Sequence, residues 1–280
     1  MQSNTEPKVW LITGASSGLG RAIADAAARR GDRVFATARS PERLSDLLSR
    51  HPGLVRSHRL DVADPAQIDE AVAAALASMG RVDVMVNNAG YGVLGALEEL
   101  APEQIERNLR TNLLGPIRLM RALLPAMRRQ GGGTIVNISA AAAIHNYPGF
   151  SVYGAGKAGL EAAGDAVAAE AAPMRVRVIA VQPGPFRTDF IARNVERAAS
   201  SVADYAGTSG KFAALISGMS GKQPGDPAKA ADAILRAVDS DKPPARLVLG
   251  KYAIAKARKR AQVLAAELDA WEPIVGPTEY

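Results

Sequence analysis

The sequence predicts an α/β fold built on one doubly wound parallel sheet of about seven strands. Short runs rich in β-branched residues alternate with alanine-rich stretches that have helical periodicity. Strands that alternate with helices pair in parallel through right-handed crossovers, with helices on both faces of the sheet. Because no internal repeat or linker interrupts this alternation, we expect a single domain over residues 1–280.

Local signals set the boundaries of these elements. Asp64 and Pro65 form an N-cap and first-turn pair that begins a helix over 65–79. The glycine run 131–133 ends a helix over 102–130. Strands are predicted over 9–13, 33–38, 54–60, 82–88, 134–139, 175–182 and 245–250, with further helices over 18–30, from Pro41, over 152–172, after Pro227 and over 251–270.

Two segments stand apart from the regular alternation. Residues at about 186–225 are rich in Ser, Gly and Ala, and a long irregular insertion of this kind predicts a substrate loop. Residues at about 251–280 form a C-terminal helical extension. We expect this extension to be a cap or an oligomer contact.

Composition excludes several kinds of site. The chain has no cysteine, so disulfides, thiolate metal sites and a cysteine nucleophile are excluded, and no metal site is predicted. The polar N-terminus MQSNTEPK predicts no signal peptide. No apolar run approaches the roughly 18 residues that a membrane span needs. These features predict a soluble, cytoplasmic protein.

The formal net charge of +6 is compatible with an anionic partner. The densest basic stretch holds Lys251, Lys256, Arg258, Lys259 and Arg260. The favoured interpretation is a solvated helix face, and binding to nucleic acid or an anionic membrane surface is the alternative. Aromatic residues make up only 5% of the chain, and base stacking requires them, so no nucleic acid partner is predicted.

A glycine loop follows the first predicted strand and opens the first helix. It reads TGASSGLG over residues 13–20 and contains Gly14, Ser16, Ser17, Gly18, Leu19 and Gly20. Gly14 permits a tight turn, Gly18 lets the backbone approach a pyrophosphate, and Gly20 lets helix and strand pack closely. The helix N-terminus then offers free N–H groups to phosphates. This order and context predict a dinucleotide-binding, Rossmann-like loop.

The glycine spacing, GxxxGxG, resembles that of the short-chain dehydrogenase/reductase family. Further family motifs follow in order: NNAG over 87–90, Asn112, the YxxxK motif over 153–157, and PGPFRTDF over 183–190. The resemblance covers residues 8 to about 250 and is greatest to the 17β-hydroxysteroid and retinol dehydrogenase-like members. It implies an oxidoreductase that assembles as a homodimer or homotetramer through the helices at about 102–130 and 152–172.

The second strand indicates the choice of cofactor. NAD enzymes commonly carry an acidic residue at its end, whereas this chain has Ala38 followed by Arg39. A guanidinium pairs with a 2′-phosphate, so we expect NADP(H) rather than NAD(H), with Ser16 as a further contact. The resemblance implies that the remaining contacts come from Asp61 and Val62 at the adenine, from Asn87, Asn88, Ala89 and Gly90, and from Pro183, Gly184 and Thr188 at the nicotinamide.

Tyr153 is the candidate acid/base, because reduction of a ketone needs a proton donor at the carbonyl oxygen. Lys157 lies one helical turn later on the same face. Its ammonium is expected to lower the pKa of the tyrosine. The resemblance implies that Lys157 also holds the nicotinamide ribose and that Asn112 anchors a water beside the lysine.

The family's usual catalytic serine is missing. Its position, thirteen residues before the tyrosine, holds Ala140, and Ser139 lies one place earlier. Three interpretations stay open: an engineered substitution, a natural variant in which Ser139, His145 or Ser151 supplies the hydrogen bond, or a protein that binds cofactor with little turnover. Ser139 would need a changed backbone, because adjacent strand residues point to opposite faces.

The substrate pocket is expected between the fifth predicted strand and the loop. By family position, His145, Tyr147 and Phe150 wall the pocket, and Phe186 and Phe190 join them from the loop. These side chains predict a hydrophobic alcohol or ketone as the small-molecule partner. The alternatives to the oxidoreductase are an NADP(H)-binding redox sensor and an epimerase or dehydratase on the same scaffold.

Overall fold

A computed structural model describes residues 6–278 of the chain. Its central feature is a seven-stranded parallel sheet with the order β3-β2-β1-β4-β6-β7-β9. The strands are β1 (Val9–Ile12), β2 (Arg33–Ala38), β3 (Val55–Arg59), β4 (Val84–Asn87), β6 (Gly133–Ile138), β7 (Val176–Pro183) and β9 (Arg246–Leu249), with β5 (Gly92–Leu94) and β8 (Val195–Arg197) forming a separate two-stranded parallel sheet. The predicted doubly wound sheet of about seven strands is confirmed.

The helices are named in chain order. They are α1 (Gly18–Arg29), α2 (Ser45–Arg50), α3 (Pro65–Met79), α4 (Pro102–Leu109), α5 (Gly115–Arg129), α6 (Ala141–Ile144), α7 (Ser151–Ala171), α8 (Phe190–Arg193), α9 (Lys211–Gly218), α10 (Pro227–Asp239) and α11 (Lys251–Val275). The predicted C-terminal helix is present as α11. It extends five residues beyond the predicted end at 270.

Alternating side chains of the strands build two cores, one on each face of the sheet. In β1, Trp10 and Ile12 pack on the face that α1 and α10 cover. Val9 and Leu11 point to the opposite face, where α3, α5 and α7 pack. A strand that is buried on both faces has no polar alternation, which explains why β1 reads as a continuous apolar run.

Two helix predictions need correction. The single helix expected over 102–130 contains a π-helical turn at Arg110–Leu114, which separates α4 from α5. The helix expected from Pro41 begins as a 3₁₀ turn before α2. By contrast, the α3 boundaries match the prediction, and Asp64 accepts hydrogen bonds from the backbone N–H groups of Ala66 and Gln67.

The predicted loop at 186–225 is more ordered than its composition indicates. It contains α8, β8 and α9, and β8 pairs with β5. A bridge between Phe186 and Gly225 joins the two ends of the segment. The segment is therefore closed at its base and folds over the carboxyl edge of the sheet.

The packing of α5 gives a test of the fold. Leu119 is fully buried in the core between α5, α3 and the sheet. Leu119→Ala should lower the free energy of unfolding by about 2–5 kcal/mol, because it removes buried apolar contacts and leaves a cavity. Urea denaturation measures this change. Leu97→Ala is the matched control, since Leu97 is 60% exposed and its loss should cost less than about 0.5 kcal/mol.

Candidate active site

The glycine loop joins β1 to α1, and two of its glycines have a left-handed backbone conformation. Gly14 has φ +65° and Gly18 has φ +58°, values that favour glycine. A Cβ on Gly20 would lie 2.3 Å from Nδ2 of Asn88 and 2.7 Å from the Gly14 carbonyl oxygen. Gly20 therefore permits the close packing of α1, as predicted, although it does not line the cavity described below.

The NNAG segment is clamped to this loop. Asn88 donates from Nδ2 to the carbonyl oxygens of Thr13 at 2.9 Å and Gly14 at 3.1 Å. The hydroxyl oxygen of Thr13 accepts from the backbone N–H groups of Asn88 and Ala89, each at 3.0 Å. Asn87 departs from expectation: its Nδ2 donates to Oδ1 of buried Asn137 on β6. Because side chains alternate between the two faces along β4, that of Asn87 packs beside Asn137 of the neighbouring strand. Asn87 therefore does not line the cavity.

One large cavity of about 1110 Å³ runs along the carboxyl edge of the sheet. Its wall brings together most of the predicted site residues. From the cofactor set it includes Gly14, Ser16, Ser17, Gly18, Leu19, Arg39, Asp61, Val62, Asn88, Ala89, Gly90, Pro183, Gly184 and Thr188, together with Ser139, Ala140, Tyr153, Lys157, Tyr147, Phe150, Phe186 and Phe190.

Tyr153 and Lys157 lie one turn apart on α7, and both are buried. The Lys157 ammonium donates to the Ile138 carbonyl oxygen at 2.8 Å and lies 5.9 Å from the centroid of the Tyr153 ring. Burial lowers the pKa of Lys157 to about 8, and the nearby Glu161 carboxylate opposes this shift. Burial also raises the pKa of the Tyr153 phenol. This direction is opposite to the one expected from Lys157, because desolvation disfavours the phenolate.

Asn112 lies beside this pair rather than in the cavity wall. It sits in the π-helical turn, where its Nδ2 donates to the Tyr91 carbonyl oxygen at 2.8 Å and its Oδ1 accepts from the Tyr91 backbone N–H at 3.3 Å. A Cβ on Gly90 would lie 2.5 Å from Oδ1 of Asn112 and 3.3 Å from Nζ of Lys157. Gly90 therefore allows the amide and the ammonium to approach each other.

The hydroxyl of Ser139 points away from Tyr153. It donates to Oε1 of Glu161, a buried carboxylate that also accepts from Gln182 Nε2 at 2.9 Å and from Arg246 Nε at 3.3 Å. Ser139 lines the cavity, but its hydroxyl is held by this network. Ala140 presents only a methyl group to the cavity.

The other two candidates for the missing hydrogen bond, His145 and Ser151, lie outside the cavity wall. His145 is exposed and lies outside the cavity wall, which corrects its predicted place in the substrate pocket. The short helix α6 ends at Ile144 and carries the following residue outward. Ser151 Oγ is buried and has no hydrogen-bond partner within residues 6–278, but Ser151 also lies outside the wall.

Aromatic side chains surround the Tyr153 phenol. Phe150 and Phe190 lie 5.0 Å and 5.9 Å from its ring, centroid to centroid. Tyr147 stacks on Phe212 at 4.9 Å. The predicted residues Tyr147, Phe150 and Phe190 thus meet at one end of the cavity, whereas Phe186, which also lines it, packs against the core on the α1 and α10 face.

Sequence reasoning missed two parts of this site. Tyr252, at the start of α11, lines the cavity, and its hydroxyl lies 3.0 Å from that of Tyr147. Gln223 also lines the cavity, and its buried side-chain amide has no hydrogen-bond partner among the described residues. Neither residue belongs to a motif, so no sequence signal marks them.

The family model for short chain dehydrogenases matches residues 8–199. The chain belongs to this family. Short-chain dehydrogenases are oxidoreductases, and this membership agrees with the glycine loop, the parallel sheet and the Tyr153–Lys157 pair described above. Among the helices of residues 6–278, none has the length and apolar character that crossing a bilayer requires.

Individual members of the short-chain dehydrogenase family resemble the chain over most of its length. A 3-ketodihydrosphingosine reductase from Bacteroides thetaiotaomicron is 33% identical over 96% of this chain and 94% of its own length. A short-chain dehydrogenase structure from Streptomyces avermitilis is 44% identical, with a TM-score of 0.93, over 99% of this chain and 100% of that one.

The family includes structures with a bound nicotinamide dinucleotide. An alcohol dehydrogenase from Thermococcus sibiricus, complexed with 5-hydroxy-NADP, is 29% identical with a TM-score of 0.71. The match covers 87% of this chain and 96% of that one. Nicotinamide dinucleotides are therefore found in solved relatives of this fold.

The pKa of Lys157 gives a pH-dependent test. Between pH 8 and the ordinary value of 10.5, the unfolded state binds more protons at this lysine than the folded state does. The free energy of unfolding of wild type, relative to Lys157→Met, should therefore rise across this range by about 3 kcal/mol. Urea denaturation of both proteins at several pH values measures the difference. A flat difference would show that the buried lysine does not lose its proton there.

Proposed function

We propose that this short-chain dehydrogenase interconverts a secondary alcohol and a ketone on a hydrophobic small molecule, using NADP(H). The observation that carries the proposal is the single cavity whose wall holds the glycine loop, Arg39, and the buried pair Tyr153 and Lys157. Such a wall combines a phosphate-binding backbone with a proton donor, which hydride transfer to a carbonyl requires.

The residues present fit a dinucleotide. Ser17, the N-cap of α1, makes no side-chain cap bond, so the first N–H groups of the helix are available to a pyrophosphate. Gly14 and Gly90 let the wall segments approach each other closely, since a Cβ on Gly14 would lie 3.0 Å from Cα of Ala89 and one on Gly90 would lie 2.5 Å from Oδ1 of Asn112. The cavity also has the volume for a dinucleotide and a substrate together.

The end of β2 favours NADP(H) over NAD(H). Arg39 and Arg43 line the cavity beside Ala38, where no carboxylate repels a 2′-phosphate. Guanidinium groups bind phosphate through charge-assisted hydrogen bonds. The NADP analogue in the Thermococcus sibiricus relative is consistent with this preference.

In the proposed reduction, Tyr153 donates the proton that the carbonyl oxygen acquires. A bound NADPH supplies the hydride. Lys157 places a positive charge beside the phenol and offers hydrogen bonds to the ribose hydroxyls. Asn112 fixes the backbone at Tyr91 by a hydrogen bond, and Gly90 leaves room for Asn112 to lie close to the Lys157 ammonium. In the oxidation of an alcohol, the deprotonated Tyr153 accepts the proton instead.

The aromatic end of the cavity supports a hydrophobic substrate. Phe150, Phe190 and Phe212 lie around Tyr147 and Tyr153. The Bacteroides thetaiotaomicron relative is a reductase of 3-ketodihydrosphingosine, a long-chain ketone. The cytoplasmic location and the homodimer or homotetramer through α4, α5 and α7 stay predictions.

Ala140 favours a second candidate, an NADP(H)-binding redox sensor with little turnover. The loss of one donor to a developing oxyanion costs about 10²–10³ in rate. Intact Tyr153, Lys157 and Asn112 favour the enzyme, because a sensor needs no proton donor. Turnover of a panel of hydrophobic ketones with NADPH separates the two candidates, and binding of NADPH without turnover of any ketone would favour the sensor.

Restoring the donor is the direct test of the altered site. Ala140→Ser should raise kcat several-fold, because the added hydroxyl can polarise the substrate carbonyl. Tyr153→Phe should lower kcat by about 10² or more while keeping NADPH affinity. Steady-state assays monitor NADPH oxidation. An unchanged kcat in Ala140→Ser would show that the reaction does not lack a donor at position 140. Full activity in Tyr153→Phe would exclude the phenol as the acid.

The cofactor preference has a separate test by equilibrium titration with NADPH and NADH. Arg39→Ala should weaken NADPH binding about ten- to a hundredfold, the value of a charge-assisted hydrogen bond, and leave NADH binding unchanged. Arg56→Ala is the matched control, since it removes an exposed arginine of β3 outside the cavity wall. An equal loss of affinity for NADPH and NADH in Arg39→Ala would contradict the role assigned to this guanidinium.

A further inference from the structure

The helix α11 leaves the body of the protein after its first turns. Those turns pack against α6 and β9, and Ala253 is buried there. Every residue from 261 to 278 is exposed, including Leu268 at 61% and Trp271 at 58%. Helices in proteins owe most of their stability to the packing of an apolar face. The apolar face of this half of α11 has no such contact among residues 6–278.

Seven apolar residues of α11 follow a heptad pattern, all of them exposed except the half-buried Ala257. The intervals between them alternate between three and four residues, in the order Ile254, Ala257, Ala261, Leu264, Leu268, Trp271 and Val275. We call this stripe the seam. Alternation of three and four is the spacing of the a and d positions in a coiled coil, which fit the side chains of a facing helix. Val263 and Ile274 are also exposed and lie outside this stripe.

The charges of α11 are segregated along its length. The basic residues precede Ala261 and the acidic residues follow it: Lys251, Lys256, Arg258, Lys259 and Arg260 in the first half, and Glu267, Asp269 and Glu272 in the second. This order opposes the helix dipole at both ends, so it destabilises an isolated helix. An antiparallel neighbour with the same sequence places each basic half beside an acidic half. The attraction between these halves offsets the unfavourable interaction of the charges with the helix dipole.

We propose that α11 of two copies of this chain pair as an antiparallel coiled coil through the seam. Placing Ala261 opposite Leu264 of the second copy also places Ala257 opposite Leu268 and Ile254 opposite Trp271. In two of these layers a methyl group faces a larger side chain, which lets the two helices approach closely.

The same register brings opposite charges together on both flanks of the seam. Arg260 lies beside Glu267 of the second copy, and Lys251 lies beside Glu272 of the second copy. Two-fold symmetry repeats each pair. Within one chain Arg260 and Glu267 are already 3.8 Å apart, so both side chains point along the same flank.

Charge reversal in full-length protein tests the pairing, with sedimentation equilibrium as the readout. Arg260→Glu and Glu267→Arg should each weaken the association by about tenfold, because each turns two attractive contacts into repulsive ones. An equimolar mixture of the two variants should associate again, since the mixed pair restores both attractions between chains. The repulsion within each chain persists in the mixture, so only pairing between copies explains that recovery.

Lys259→Glu is the matched control, because Lys259 carries the same charge on the side of the helix opposite the seam. It should sediment as wild type does. NADPH titration of every variant checks that the body remains folded, and it keeps this test separate from the test of catalysis. A wild-type mass in either single variant, a mixture that stays dissociated, or a monomeric wild type would overturn the proposal, and flotation of that monomer with anionic vesicles would assign the stripe to a membrane surface instead.

Discussion

The position of β1 between β2 and β4 is the constraint on which the site depends. Parallel pairing on both sides aligns the carboxyl ends of these strands and opens a crevice where the chain order reverses. The glycine loop leaves β1 at this point, and the segment after β4 is clamped to it through Thr13 and Asn88. Local loop sequence supplies the chemistry, and the strand order brings the loops together.

A second constraint is the buried network behind the acid/base pair. Tyr153, Lys157 and Glu161 follow one another at intervals of one helical turn on α7, so a phenol, an ammonium and a carboxylate form a line from the cavity into the interior. Glu161 holds the Ser139 hydroxyl and opposes the desolvation of Lys157. The Ser139 hydroxyl is therefore held by the same carboxylate that lies near the lysine.

The parts of the fold with strong local signals could be predicted from the sequence. The limits of α3 follow from Asp64 and Pro65, and β2 matches its apolar run. The three-residue strands β5 and β8 could not be predicted, because their pairing joins segments about a hundred residues apart and leaves no periodicity. Gly115 and Pro116 directly follow the π-helical turn that holds Asn112, and they mark an interruption of the helix but not its type.

For the candidate site, motif residues were easier to place than pocket residues. The glycine loop and the YxxxK pair lie in the cavity wall because strand and helix periodicity fixes their direction. Asn87 and His145 miss the wall, since their orientation depends on the sheet pleat and on the end of α6. Tyr252 joins the wall only through the packing of α11, which tertiary structure alone determines.

The proposed reaction requires one dinucleotide to lie along the carboxyl edge of the sheet, with its reactive ring beside Tyr153. A crystal structure of the NADPH complex tests it most directly. We expect the nicotinamide within contact distance of the Tyr153 phenol and the 2′-phosphate within hydrogen-bond distance of Arg39. A nucleotide bound in the opposite direction, or outside this cavity, would contradict it.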